Sequence, residues 1–192
     1  MIKNIRIATI LLIGLTGLTG GVYPLFVTAV AQIAFPGQAG GSLIQSGNQI
    51  RGSRLIGQSF TKPEYFWGRL SATSPQPYNA ASSSGSNFGP LHPGLKEAAR
   101  SRIDSLQKYS SGGARVPIDL VTASGSGLDP EISPAAAEFQ IPRVAAARHL
   151  SEQTVRNLVR RHTRDRQFGI LGEPGVNVVE LNLALDQGSH QD

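Results

Sequence analysis

Residues 7–30 read IATILLIGLTGLTGGVYPLFVTAV, twenty-four residues without a charge, and no charged residue occurs between Arg6 and Arg51. As a helix this stretch spans about 36 Å, enough to cross a bilayer core of roughly 30 Å with some tilt. Its polar groups are hydroxyls (Thr9, Thr16, Thr19, Tyr23, Thr28) that can bond back to helix carbonyls. Pro24 should kink the helix. Gly14, Gly17, Gly20 and Gly21 supply a face for close helix approach. A cleaved signal peptide is the competing reading, with Lys3 and Arg6 as its basic start and Ala29-Val30-Ala31 as a small-residue cleavage site. The apolar run is longer than the 7–15 residues of an ordinary signal core, which favours a retained anchor.

Flanking charge sets the orientation. Lys3 and Arg6 precede the span and no basic residue follows within twenty residues of Val30. The positive-inside rule then places residues 1–6 in the cytoplasm and the chain from about residue 35 onward outside the cell membrane.

Working outward, Phe35 to Gly41 is a Pro/Gly linker, so residues 31–41 join the span to a soluble part over 42–192. At 192 residues the chain holds one compact domain plus an appendage. It has no cysteine, which excludes disulfides, Cys-based metal sites and a thiol nucleophile. The 18 Lys and Arg against 13 Asp and Glu give +5, and only +3 without Lys3 and Arg6, too little to argue for nucleic acid.

In the soluble part, Ser42–Gln45 and Gln49–Ile56 read as a hairpin turning at Ser46-Gly47-Asn48. Ser71–Pro90, rich in Ser, Pro, Asn and Gly, is a long loop, either functional or disordered. Leu95–Tyr109 has helical periodicity. Val116–Thr122 reads as a buried strand leading into the loop Ala123–Gly127. Ser133-Pro134 starts a helix that Pro142 should break or kink. Ser151 caps another helix with the stripe Val155, Leu158, Val159, and Asn177…Glu180 has capping-box spacing for a final helix over Val178–Leu185. The expected class is α+β: a single N-terminal transmembrane helix followed by one mixed α/β soluble domain.

Motifs for chemistry are sparse. No lysine follows a glycine, so there is no phosphate-binding Gly-Lys loop, and there is no Gly-x-Ser-x-Gly elbow. Ser59-x-x-Lys62 matches a penicillin-binding pattern, but no Lys-Thr-Gly follows and Ser105-x-x-Lys108 repeats the spacing inside an expected helix. His92, His149, His162 and His190 lack metal-ligand spacing and read as surface or helix-end residues. Arg156, Arg160, Arg161, Arg164 and Arg166 suit a solvated helix face or anionic lipid headgroups better than nucleic acid. Phe60, Tyr65, Phe66 and Trp67 fall within eight residues of a chain with twelve aromatics, and Arg69 follows; core and interface anchor both fit. Ser124-Gly125-Ser126-Gly127 either presents amides to an anion or forms a turn needing positive φ.

Several of these stretches together carry a resemblance. Gly20-Gly21-Val22-Tyr23-Pro24-Leu25, Gly52-Ser53-x-Leu55-Ile56-Gly57-Gln58-x-Phe60, Tyr65-Phe66-Trp67-Gly68-Arg69, Asp119–Pro130, Gln140–Arg148 and Val176–Asp186 occur in order. They resemble the C subunit family (KdpC) of the Kdp-type potassium-transporting ATPases, over roughly residues 14–186. Leu70, Ser84 and Gly175 depart from it, standing where proline, glycine and arginine are common. A contact made by that arginine would be made differently here or be missing.

The resemblance implies a non-catalytic accessory subunit, with one sister subunit conducting potassium and another hydrolysing ATP, and an anchor that is retained in the inner membrane. It implies no tightly bound cofactor; ATP enters through the catalytic subunit. Two mechanisms follow from it. In one, the chain is a catalytic chaperone that raises the ATP affinity of its sister, with Ser124, Gly125, Ser126, Gly127 and Gln140 touching nucleotide. In the other, it is an exterior cap, docking on the ion-conducting subunit through Tyr65, Phe66, Trp67 and Arg69 while the face around Gly20, Gly21, Tyr23 and Pro24 packs between that subunit's helices. The orientation read from charge favours the cap. A free-standing exterior binding domain without a pump partner is the alternative of a different class.

Overall fold

The computed structural model describes residues 1–109 and 114–188, and the chain divides into two units, Met1–Leu43 and Ile44–Asp192. In the first, α1 (Ile2–Gly17) passes through a π turn at Leu18–Val22 into α2 (Tyr23–Ala34). The 33-residue run is long and apolar enough to cross a membrane. The disturbance expected at Pro24 takes the form of this π turn, just ahead of the residue that lacks a backbone donor. Thr9 and Thr19 donate their hydroxyls to the carbonyls of Ile5 (2.9 Å) and Leu15 (2.8 Å), so neither leaves a polar group bare in lipid. The helix outruns the expected 7–30, and the linker holds a helical turn, α3 (Pro36–Ala39), restarted by Pro36 after Phe35 leaves helical geometry at φ −138°.

The second unit begins with the hairpin β1 (Leu43–Ser46) and β2 (Gln49–Ser53), with Gly47 at φ +60° in its turn. Then follow α4 (Pro93–Gln107), α5 (Ile118–Val121), β3 (Glu131–Ile132), α6 (Pro134–Arg148), α7 (Glu152–Arg161), β4 (Thr163–Arg164), β5 (Gly175–Asn177) and α8 (Val178–Gly188). β5 is the middle of an antiparallel sheet ordered β3-β5-β4, with Ile132 opposite Val176 and Arg164 opposite Gly175. The core joins α6, α7, α8 and β5 through Ile141, Val144, Val155, Val159, Val176, Leu181 and Leu185, and Phe66, Leu106 and Leu120 enter it from outside that group.

One expectation is overturned, and of the two outcomes expected at Pro142 the break does not occur. Val116–Thr122 is not a strand. Pro117 fixes extended backbone at the N-cap, a single helical turn follows, and Ile118 is exposed while Leu120 is buried. A short apolar run without a period does not separate strand from helix. Pro142 does not end α6 either. Its ring faces solvent while Gln140, Ile141, Arg143 and Val144 around it are buried, so tertiary anchoring outweighs the one lost backbone bond.

Local caps formed as read. Ser133 Oγ accepts from Ala136 N at 3.0 Å and Ser151 Oγ from Thr154 N at 3.0 Å. Asn177 Oδ1 accepts from Glu180 N at 3.1 Å, but the Glu180 carboxylate turns to Arg54 (2.8 Å) instead of closing the capping box. His92, His149 and His162 all sit at helix ends; His190 lies outside the described residues.

Candidate partner-binding surfaces

Residues 62–69 form no regular element, yet side chains donate to every one of their backbone carbonyls. An extended chain turns the N–H and C=O of one residue to one side and those of the next to the other. Two buried carboxamides take successive residues. Asn182 on α8 accepts from Phe66 N and donates to Phe66 O, both at 2.9 Å. Gln140 on α6 accepts from Trp67 N at 2.8 Å and donates to Trp67 O at 3.1 Å. Gln140 also donates to Ala136 O (3.2 Å) and accepts from Arg143 (2.6 Å). A carboxamide has two donor hydrogens and two acceptor lone pairs, so Gln140 is saturated, and it is 1% exposed.

Three arginines complete the clamp. Arg143 donates to the carbonyls of Pro63 (2.7 Å) and Tyr65 (2.9 Å), Arg102 to Gly68 (2.7 Å) and Leu120 (3.1 Å), and Arg148 to Glu64 (2.7 Å). Arg143 and Arg102 lie over the Trp67 ring at 4.4 and 5.1 Å from its centroid, a cation–π pairing in which Arg143 and Trp67 are buried and Arg102 half-buried. Burial pushes the Arg143 guanidinium down to about 10, which leaves it charged at neutral pH. Arg148 reaches Asp186 at 2.7 Å, and Tyr65 Oη donates to the same carboxylate at 3.2 Å. Burial, then the charge of Asp186, raises the Tyr65 phenol.

The aromatic segment is therefore a structural centre. Phe66 is 0% and Trp67 5% exposed, so these two side chains have no surface to give a partner; Tyr65 and Arg69 are half-buried. Arg69 bonds Asp129 and the Ala123 carbonyl, both at 3.2 Å. Asn182, Arg102, Arg143 and Arg148 were not singled out from sequence. Only Asn182 carried a signal, as a polar residue inside the apolar stripe of α8.

The long loop 71–90 is tied down. Ser71 Oγ donates to Gly127 O (2.7 Å) and accepts from Tyr78 N (2.9 Å), and Thr73 Oγ1 accepts from Asn79 N (3.0 Å). Tyr78 Oη donates to Arg69 O at 2.6 Å, and burial pushes its phenol up to about 12. An unfolded tyrosine ionises near 10, so holding Tyr78 neutral stabilises the fold fully below that pH. This stabilisation is lost as pH rises from about 10 through about 12, where the unfolded chain gives up a proton the folded one keeps. In the full chain in detergent, Tyr78→Phe should remove about 2 kcal/mol of the alkaline fall in stability over that window. Urea titrations at pH 10 and 12 check it, because the other groups cancel in the difference between variants.

The Ser-Gly stretch packs on this loop. Ser124 is buried with its N–H on Leu70 O (3.1 Å), and Ser126 O accepts from Ser84 N (3.0 Å) and Ser83 Oγ (2.9 Å). Gly127 has φ +69°, while Gly125 and Ser126 are exposed. Among the described residues no group of three or more His, Asp or Glu could hold a metal ion. At Gly20 and Gly21 a Cβ would meet nothing within 4 Å, so this face of the span is open.

One exposed feature went unread in the sequence. Between β4 and β5 the chain makes a hairpin closed by Gln167 N to Leu171 O (2.8 Å) and Leu171 N to Gln167 O (2.9 Å), with Arg166 and Glu173 paired at 2.6 Å below it. Its tip exposes Phe168 (84%), Ile170 (75%) and Leu171 (54%). The available signal was an apolar run punctuated by Gly169 and Gly172.

Residues 5–187 match the protein family described as KdpC: K+-transporting ATPase, c chain. The chain belongs to the KdpC family. It is 63% identical over 171 residues to the potassium-transporting ATPase KdpC subunit of Herpetosiphon aurantiacus, covering 88% of this chain and 89% of the relative. It is 59% identical over 187 residues to the subunit of the same name from Sorangium cellulosum (97% and 98% covered), and 59% over 179 residues to that of Burkholderia mallei (92% and 93%). KdpC is a subunit of a potassium-transporting ATPase complex, and the apolar helix fits a chain associated with a membrane pump. The KdpC position Gly175, noted above as a departure, lies against Glu131: a Cβ there would come within 2.7 Å of Glu131 Oε2, and Glu131 pairs with Arg164 at 2.8 Å.

Proposed function

We propose that this chain is a non-catalytic accessory subunit of an ATP-driven potassium uptake pump, anchored in the inner membrane by one helix and capping the assembly from outside. The observation that carries this reading is where its polar residues are spent. Gln140, Asn182, Arg102 and Arg143 hold the domain's own backbone, and Gln140 has no hydrogen-bonding capacity left for a nucleotide. The sister subunits conduct potassium and hydrolyse ATP. Support for ATP use by the catalytic subunit, a raised ATP affinity included, then passes through the assembly as a coupling between sites. The open glycine face around Gly20 and Gly21, with Tyr23 and Pro24, packs against helices of the ion-conducting subunit and surrounding lipid.

Sidedness tests this reading. An epitope appended after residue 192 should be reached by protease or antibody only from outside intact cells, as the charges of Lys3 and Arg6 require. An epitope protected until the membrane is opened would put the domain beside the ATP-hydrolysing machinery and return the Ser124–Gly127 loop to the position of nucleotide contact. Failure of the chain to co-purify with two larger membrane subunits would leave a free-standing binding domain.

A further inference from the structure

We infer that the hairpin tip Phe168-Gly169-Ile170-Leu171 is a docking knob for an apolar pocket on the exterior surface of a sister subunit of the pump. The inference rests on the accessory-subunit reading and adds the contact through which the soluble domain is held.

Nothing inside the domain accounts for the tip. Its three large apolar side chains are mostly in water, away from the core formed around β5. Single exposed apolar residues are ordinary, but three on one five-residue turn form a patch. The backbone beneath them is built firmly. Two main-chain hydrogen bonds join Gln167 and Leu171, and Phe168 is held at φ +55°, a conformation that a bulky L-residue rarely adopts. Gly169 and Gly172 follow at φ +77° each. A turn that places a phenylalanine in left-handed geometry in order to point it at solvent is pre-organised for a partner, and pre-organised aromatic and aliphatic anchors are what interface centres use.

Charge selects the occupant. From Asp165 to Glu173 there is one basic residue, Arg166, against two acidic ones, a local balance of −1. Arg166 is already paired with Glu173 at 2.6 Å, and Arg164 at the base with Glu131 at 2.8 Å. Insertion into anionic lipid calls for unpaired cations beside the apolar residues, and within residues 164–173 both arginines are already paired. A neutral apolar tip ringed by its own ion pairs instead fits a protein pocket, with a rim that is neutral or mildly basic.

The absence of cysteine permits a direct test. Ile170→Cys, at an exposed side chain, and Leu91→Cys, a control elsewhere on the surface, are each introduced into the full chain and treated with a membrane-impermeant maleimide in intact membranes. With the sister subunits present, labelling at 170 should fall at least tenfold against the same chain expressed alone, while labelling at 91 should be unchanged. Equal labelling at 170 with and without the sisters overturns the inference. Protection in the chain expressed alone, relieved by detergent, also overturns it and assigns the tip to lipid. Loss of the chain from the purified complex in wild type would overturn the accessory reading itself, an outcome independent of residue 170. As a second variant, Phe168→Ser with Ile170→Ser should reduce recovery with the sister subunits by tenfold or more while leaving the melting temperature of the chain within two or three degrees, since neither side chain is buried.

Discussion

Gln140→Leu is expected to unfold the soluble domain or bring it close to unfolding. The leucine fills much of the same space but offers no polar atom. It leaves the N–H and C=O of Trp67 and one N–H of the Arg143 guanidinium inside the core without partners. Each such group costs about 1–3 kcal/mol, more where it carries charge, so the combined loss is about 4 kcal/mol or greater. Domains of this size are stable by about 5–15 kcal/mol in total. Thermal melting of the chain in detergent should therefore drop by about 10 °C or more. Gln140→Glu keeps both acceptor contacts, to Trp67 N and to Arg143, but turns its second carboxylate oxygen on the carbonyls of Trp67 and Ala136, so it too should melt below wild type, by less than the leucine variant only where that oxygen is protonated and donates. The pair separates two roles for one residue. If Gln140 touched nucleotide, both variants would melt like wild type and raise the ATP concentration the pump needs. Unchanged melting of Gln140→Leu would show that the clamp on residues 62–69 does not hold the domain.

The same residue shows where sequence reading ends. The helix caps at Ser133 and Ser151 were legible because a cap closes within three residues, through the side chain that names it. The span was legible because its length and lack of charge are set by lipid alone. Gln140 and Asn182 answer to backbone 73 and 116 residues away, and nothing near them in the chain announces that. An amide on a helix surface and an amide replacing a strand neighbour look alike until the segment between α6 and α8 is in place. Trp67 was open between core and interface for a related reason. Its indole N–H donates to Lys62 O at 2.9 Å and two arginines cover its ring, which a reader of the sequence sees only as a neighbouring aromatic and distant charges. Val116–Thr122 failed on a different count: Pro117 and Asp119 were the helix-start signals, and the apolar residues around them drew the eye to a strand. The tip at Phe168 was passed over because exposed apolar residues in a loop break no local rule, and their meaning depends on the ion pairs and main-chain bonds that hold them outward.

Within the Ser-Gly stretch, two glycines two positions apart should respond differently. At Gly127 the backbone has φ +69°, and a Cβ would stand 2.6 Å from both Ser84 O and Thr73 Cγ2 and 3.3 Å from Thr73 N. Two of these are main-chain atoms of the 71–90 loop, which Ser71 ties to Gly127 O and Ser126 O ties to Ser84. Gly127→Val adds left-handed strain at a β-branched residue to a collision that neither loop can relieve without breaking those bonds. A loss of about 3 kcal/mol or more is expected, read as a lower melting temperature and faster proteolysis within 71–90. At Gly125 a Cβ meets nothing within 4 Å and φ is ordinary, so Gly125→Val should fold as wild type does. That makes Gly125 the clean probe of ligand contact. If the loop presents amides to a nucleotide, the valine at 125 obstructs the approach and the ATP dependence of the assembled pump shifts with stability unchanged. If the loop is instead the support on which the 71–90 segment rests, ATP dependence stays as it was and only Gly127→Val has an effect. The saturated state of Gln140 and the main-chain contacts of Ser124 and Ser126 favour the second result, because a loop that already spends its polar atoms on its neighbours has a structural reason for its glycines.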